Sequence, residues 1–412
     1  MPTPDPLSAL VHLSNRVGLD PRLVQPGGGN TSVKVADTLV VKGSGTDLRT
    51  IGHDGFARLS LARLAPLAEA ESMSDAEMMR FMAGCMLADG PAPSVETPLH
   101  SLLPHRVIVH THDVATMSLT NVPDATAERL VGELFEGAVV YVPYSRPGFP
   151  LARAVGRMVD RIPARAIGLT LAHHGLVVWG DDADEAERRL KQVVAKIDEF
   201  IAASRRGRQL LGTVRTPAPA ADERRRLAEI VLPAVRGALS MTEPPTAVPP
   251  YRRTVLHFDD APDILATLAA ARTPELAARG MATPEHLLRA GRLPVRLDLS
   301  LGASPDALVE QVRTQIAEAR AEYEQYHQRH AGPDQPPLDD WAKVVLVPGL
   351  GLVTAFSDKR SAVTANICYR ATLEAIAGAE AVDRFQSLDE SDVFEFEHWP
   401  LERRKVEETL AR

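Results

Sequence analysis

Two proline-rich stretches set the outer limits on how this chain can fold. Residues Gly212 to Ala221 read GTVRTPAPAA, and Ser240 to Tyr251 read SMTEPPTAVPPY. Proline removes a backbone donor and disfavours helix in the residue before it, so neither stretch suits a helix interior or a central strand. Both read as linker or irregular crossing segments, and the first places a boundary near residue 212. A chain of 412 residues is two to three times a typical domain. The expectation is one domain over residues 1–212 and a second, smaller one over residues 213–412.

Strands and helices mix on both sides of that boundary. Before it, Leu39–Lys42, Val107–His112, Val139–Val142 and Ile167–Leu171 are short, rich in β-branched residues and bounded by turn formers, so they read as strands. Ser74 with Glu77 spells a capping box ahead of Met78, Met82, Cys85 and Met86, whose spacing is that of a helix with a core-facing stripe. Asp182 with Glu185 repeats the device ahead of Ala186, Leu190, Val193, Ile197 and Ile201. After the boundary, Thr254–Phe258, Val295–Leu299, Val344–Val347 and Val393–Phe396 read as strands, with helices over Asp306–His330 and Ser361–Gly378. Alternating strands and helices predict an α/β protein in both parts.

Composition enters by exclusion. An apolar fraction of 45% with 24% charged residues is that of an ordinary globular chain. Lys and Arg total 46 against 54 acids, with only short arginine clusters such as Arg205–Arg206 and Arg224–Arg226, so no nucleic-acid partner is expected. Two distant cysteines, Cys85 and Cys368, exclude a disulfide framework and a cysteine-rich zinc site. The start MPTPDPLSALVHL lacks the basic and apolar segments of a signal peptide, and no apolar run approaches a bilayer span. A cytoplasmic protein without a membrane partner is the expectation.

The chemistry gathers around histidines. In the strand VIVHTH, side chains alternate, so His110 and His112 share one face and can reach one metal ion. His173 and His174 end another apolar strand in LTLAHHGLVVWG, where Gly175 implies a tight turn. Catalytic zinc takes three protein ligands and keeps one position open. His110, His112 and one of His173 and His174 fill that count. Glu96, in PAPSVETPLH, is a candidate acid/base group, a role that calls for a carboxyl whose pKa burial raises. His100 lies four residues on and reads as structural. Two Gly-rich loops, PGGGNTSV at 26–33 and KGSGTD at 42–47, fit neither the dinucleotide fingerprint nor the Walker loop, yet such loops can cradle an anion on backbone N–H groups.

In order along the chain, GGGNTSV, VVKGSGTDL, PSVETPLH, VIVHTH and AHHGLVVWG resemble the class II aldolase/adducin family over roughly residues 20–205. The resemblance implies a central β-sheet flanked by helices, zinc (or another divalent metal) held by His110, His112 and His174, and Glu96 as the acid/base carboxylate. It also implies a sugar-phosphate group held by Asn30, Ser44, Gly45 and Ser94. Val95 stands where many members carry a second serine, which removes one phosphate donor, and Asp113 stands where proline is common. Farther on, VVLVPGLGLVTAF, residues 359–378, TPEHLLRAGRLP and VFEFEHWPLERRKVEE are similar to the aldolase part of bifunctional rhamnulose-phosphate aldolase/short-chain dehydrogenase proteins. There a dehydrogenase domain would begin near the position of Arg412, and this chain is expected to lack it.

The activity so implied is reversible cleavage of a ketose 1-phosphate, of rhamnulose or fuculose type, to dihydroxyacetone phosphate and an aldehyde. Epimerases, decarboxylases and dehydratases of the same family are the alternatives, as is a non-catalytic module like adducin, which the three histidines disfavour. A homo-oligomer is implied, and a separate aldehyde dehydrogenase or reductase is a candidate partner.

Overall fold

The computed structural model describes residues 5–240, 254–333 and 335–403. Apart from Ser240, the second proline-rich stretch lies outside them. The first is irregular up to Ala220, and a helix starts at Ala221. The chain forms two compact units: Met1–Arg206 with Gly378–Phe385, and Gly207–Ala377 with Gln386–Arg412.

The first unit is built on a seven-stranded sheet ordered β3-β2-β1-β4-β7-β6-β5. Its strands are β1 (Asn30–Val35), β2 (Thr38–Lys42), β3 (Phe56–Ser60), β4 (Val107–Thr111), β5 (Val139–Val142), β6 (Gly168–Leu171) and β7 (Gly175–Gly180). Every neighbouring pair is antiparallel except β5 with β6. β4 is buried along its whole length, so both faces of the sheet centre are covered. Ile108, Val177 and Trp179 pack with Leu99 and Leu103 of the segment around helix Thr97–Leu102, and with Leu151 and Val155 of helix Phe149–Gly156. By alternation, His110 lies on the Ile108 face and therefore looks toward the start of helix Thr97–Leu102. The helix Ala183–Arg205 turns Leu190, Val193 and Ile197 inward, as its spacing predicted.

Local signals explain several boundaries. Ser74 accepts from the Glu77 N–H while Glu77 reaches back to the Ser74 N–H, the complete capping box, and Met78, Met82 and Cys85 are buried behind it. The second device is only half of one. Asp182 caps the Glu185 N–H, but the Glu185 carboxylate accepts from Asp181 instead of Asp182. The predicted strand ending in His173 and His174 stops at Leu171, and both histidines sit in the connection to β7.

The second unit carries a four-stranded sheet ordered β8-β11-β10-β9, made of β8 (Val255–Asp259), β9 (Val295–Arg296), β10 (Val344–Val347) and β11 (Gly351–Phe356). Helices Ala221–Ser240 and Pro305–His330 share one apolar core with it, through Val231, Val235, Leu308, Val312, Val345 and Val353 among others. Two predicted strands need correction. Val295–Leu299 pairs only over Val295–Arg296, against Val345 and Leu346 of β10. Val393–Phe396 is not a strand but lies in the helix Glu390–Glu397, where Asp389 caps the Asp392 N–H and Val393, Phe394, Phe396 and Glu397 are buried together. The cap outweighed the β propensity of a four-residue aromatic run.

Candidate functional site

The site starts from strand β4. Its Cα register sets His110 opposite Asn30 of β1 on one side and Val177 of β7 on the other. His110 Nδ1 lies 3.0 Å from the Leu176 carbonyl, which can only accept, so Nδ1 carries the proton and Nε2 presents a lone pair. That Nε2 lies 3.1 Å from His112 Nε2 and 3.3 Å from His174 Nε2. Tetrahedral ligation with Zn–N bonds of about 2.0–2.1 Å spaces its nitrogens by roughly 3.3 Å. The three rings are buried, and their nitrogens form the one group suited to a metal among the described residues.

Two close approaches make the cluster possible. A Cβ at Gly175 would sit 2.0 Å from the Thr111 carbonyl oxygen, so only glycine lets β7 pass this close behind the His112 backbone. The turn before it holds His173 at φ +53°, a left-handed conformation that costs a non-glycine residue roughly 1–2 kcal/mol. Of the two adjacent histidines, His174 joins the cluster, whereas the ring of His173 meets Tyr144 edge-on at 6.1 Å.

Glu96 caps the helix Thr97–Leu102 through its backbone and points its carboxylate at the cluster. Oε2 lies 3.5 Å from His110 Nε2, and Oε1 3.4 Å from His174 Nε2. Asn30 Nδ2 donates to Oε2 at 2.6 Å. Burial pulls this carboxyl's pKa upward, while positive charge at the cluster, on its rings or on an ion they hold, and the Asn30 bond pull it down and prevail. The expectation that burial would raise it is therefore reversed: desolvation is the largest single influence, and the neighbours jointly exceed it. A positive charge at the cluster favours the carboxylate form of Glu96, the form that accepts a proton.

The Gly-rich and Pro-Ser loops meet each other. The Ser44 N–H donates to the Ala92 carbonyl at 2.7 Å, and the Ser94 N–H to the Lys42 carbonyl at 3.2 Å. Ser94 Oγ accepts from the Glu96 N–H at 3.3 Å, so its own hydroxyl proton remains for another acceptor. Gly45, at φ +78°, has nothing within 4 Å of where a Cβ would lie. Asp113, in the place where proline was the pattern, caps the next helix by accepting from the Thr116 N–H at 2.8 Å. Burial raises its pKa to about 6.

A model of the class II aldolase and adducin N-terminal domain matches residues 8–196, and a model of the class II aldolase second domain matches residues 226–406. The N-terminal class II aldolase domain of a conserved protein from Thermoplasma acidophilum is 33% identical, covering 49% of this chain and 96% of that one, with a TM-score of 0.45. The chain belongs to the class II aldolase and adducin family. An uncharacterized oxidoreductase, YuxG, of Bacillus subtilis (strain 168) is 28% identical over 99% of this chain, which spans 59% of that relative's length. L-fuculose-1-phosphate aldolase from Thermus thermophilus is 15% identical over 48% of this chain and 93% of its own, with a TM-score of 0.33.

Within this class II aldolase fold, His100 is the residue whose part in the site the sequence understated. It is fully buried, and its ring joins Asn30 to Ser32. The available signal was its spacing, four residues after Glu96 and hence on the same face of a short helix. Among the described residues, no helix is long and apolar enough to cross a membrane.

Proposed function

We propose that this chain is a zinc-dependent aldolase that reversibly cleaves a ketose 1-phosphate to dihydroxyacetone phosphate and an aldehyde. The observation that carries the reading is the buried Glu96 carboxyl group within 3.5 Å of two nitrogens of a three-histidine cluster. The histidine set fits a divalent ion on chemistry and spacing alike, and His110, His112 and His174 would hold it. Such an ion supplies Lewis-acid polarisation of the substrate carbonyl.

The protein's own groups divide the remaining work. In condensation Glu96 takes the proton from the nucleophilic carbon of dihydroxyacetone phosphate, and in cleavage it returns that proton to the same carbon. The hydroxyls of Ser44 and Ser94 and the backbone N–H of Gly45 are the donors for the phosphate, because the Ser44 and Ser94 N–H groups are already spent between their two loops. The amide of Asn30 has two hydrogens; one goes to Glu96 and the second serves the phosphate. Anchoring that remote group aligns the reacting carbon, so phosphate binding supplies orientation.

The test is a panel of ketose 1-phosphates, rhamnulose 1-phosphate first and fuculose 1-phosphate next, assayed for dihydroxyacetone phosphate with zinc-loaded protein. Release from one of them supports the reading. No release from any overturns it.

A further inference from the structure

Glu96, Asn30, His100 and Ser32 form a single buried hydrogen-bonded chain. Asn30 Nδ2 meets Glu96 Oε2 at 2.6 Å, Asn30 Oδ1 meets His100 Nε2, and His100 Nδ1 meets Ser32 Oγ at 2.6 Å. All four side chains are buried, with His100 and Ser32 at 0% exposure. The proton positions in such a chain follow from its one acceptor-only link, the Asn30 amide oxygen. Asn30 sets its NH2 toward Glu96 Oε2. Its carbonyl oxygen then faces His100, which must donate from Nε2. His100 Nδ1 is consequently bare and accepts the Ser32 hydroxyl.

We infer that His100 is a positioning residue: as a neutral imidazole protonated on Nε2, it fixes the Asn30 amide so that its NH2 aims the Glu96 carboxylate at the histidine cluster. Asn30 alone does not have this property. An amide is nearly symmetrical in shape, and rotated by half a turn it would set its carbonyl against the carboxylate. The imidazole N–H makes that rotation cost a buried unpaired donor as well as the repulsion. Ser32 closes the chain as the donor to Nδ1, while the Asn30 amide oxygen sets the tautomer. The strand supplies the geometry, since Asn30 and Ser32 are two apart on β1 and so lie on one face.

The inference rests on the aldolase reading for its consequence in turnover, but the hydrogen-bond chain is a property of the protein in any case. Two measurements separate them. In the full chain labelled with 15N-histidine, long-range proton–nitrogen correlation reads the tautomer of each ring, and the His100→Gln spectrum identifies the His100 signal by its loss. The expected result is an Nε2–H tautomer whose ring signals move in Asn30→Ala. An Nδ1–H tautomer, or signals indifferent to Asn30→Ala, overturns the inference.

The second measurement is kinetic. His100→Leu should lower kcat by about 10–100-fold, the range for lost orienting partners, at unchanged metal content, with a rise in KM beside it because the released Asn30 amide also serves the phosphate. His100→Gln can donate to Asn30 and accept from Ser32, and should recover most of that loss. Wild-type kcat in His100→Leu, a loss confined to KM, or no recovery in His100→Gln overturns the positioning role. Should His100→Leu fail to fold, the tautomer and the His100→Gln kinetics still decide. If the unsubstituted protein turns over no ketose phosphate, the aldolase reading fails and the ring spectrum alone judges the chain.

Discussion

Gly28 lies against the ring of His112: a Cβ at residue 28 would stand 2.8 Å from His112 Nδ1. The Gly-rich loop that the sequence offers as an anion cradle thus also forms a wall of the histidine cluster. Gly28→Ala should tilt the ring and weaken zinc binding by about 10–100-fold, the usual cost of disturbing a ligand's support. Competition with a chelator measures it. Wild-type affinity in Gly28→Ala would show that the ring has room to yield.

A histidine of the cluster and His173 should behave oppositely. His110→Ala removes a nitrogen within 3.5 Å of both other ligands and of Glu96, and should leave the protein without metal. His173→Ala should keep one zinc per chain on three-histidine logic, because the His173 ring is turned toward Tyr144. Elemental analysis of these two variants and of His174→Ala decides. Zinc lost in His173→Ala and retained in His174→Ala would reassign the third ligand.

Glu96→Gln keeps the size of the side chain but cannot take a proton. Zinc content should survive, and exchange of the dihydroxyacetone phosphate proton in heavy water should fall by about 10²–10⁴-fold, the typical share of a general base. Exchange at the wild-type rate would remove Glu96 from the chemistry. Lost zinc would instead make it a ligand.

The second unit has a pH dependence of its own. Burial lifts the Glu397 carboxyl to about 7, with the Asp340 charge adding to the rise, while the Tyr326 hydroxyl, Lys343 and Arg292 oppose it. The Tyr326 O–H donates to Glu397 Oε2 at 2.8 Å. The folded state binds this proton more tightly than the unfolded one, whose glutamate titrates near ~4.3. Its contribution is therefore full below ~4.3 and is lost as pH climbs through about 7. Glu397→Gln keeps an acceptor for Tyr326 and has no proton to lose. Its stability advantage over the unsubstituted chain should grow between pH 5 and pH 8 by on the order of 2–3 kcal/mol. Urea titrations at the two pH values test this, and an advantage that does not change with pH would rule Glu397 out as the source.

What could be read from the residues alone differs from element to element for physical reasons. VIVHTH was legible because a period of two fixes which side chains share a face, and the sheet places His110 and His112 accordingly. The capping box at Ser74 was legible because both of its partners lie within one turn. The run VFEF misled because four alternating residues satisfy a strand and a helix equally, and the deciding Asp389 cap lies outside the run. The Glu96 pKa was not legible at all. Its sign depends on His174, 78 positions away in the chain, reaching 3.4 Å, and no local pattern states that distance. For the same reason, convergence of the third histidine came from resemblance and not from spacing.

The pairing of Asn30 with His110 across two strands has a further consequence. On the proposed function one residue steers the base and the other holds the ion, and between them there is only a ladder rung. A β-ladder shifts in whole residues, and each shift turns every side chain to the opposite face. The spacing of Asn30 and His110 thus cannot drift by small increments, and Glu96, at the start of the helix Thr97–Leu102, is tied to that fixed pair through the Asn30 amide. An insertion just ahead of Asn30 must be taken up entirely by the glycines before it, or it abolishes the site in a single step. Reactions that need another spacing are reachable from here by exchanging side chains on fixed rungs, and not by stretching the frame.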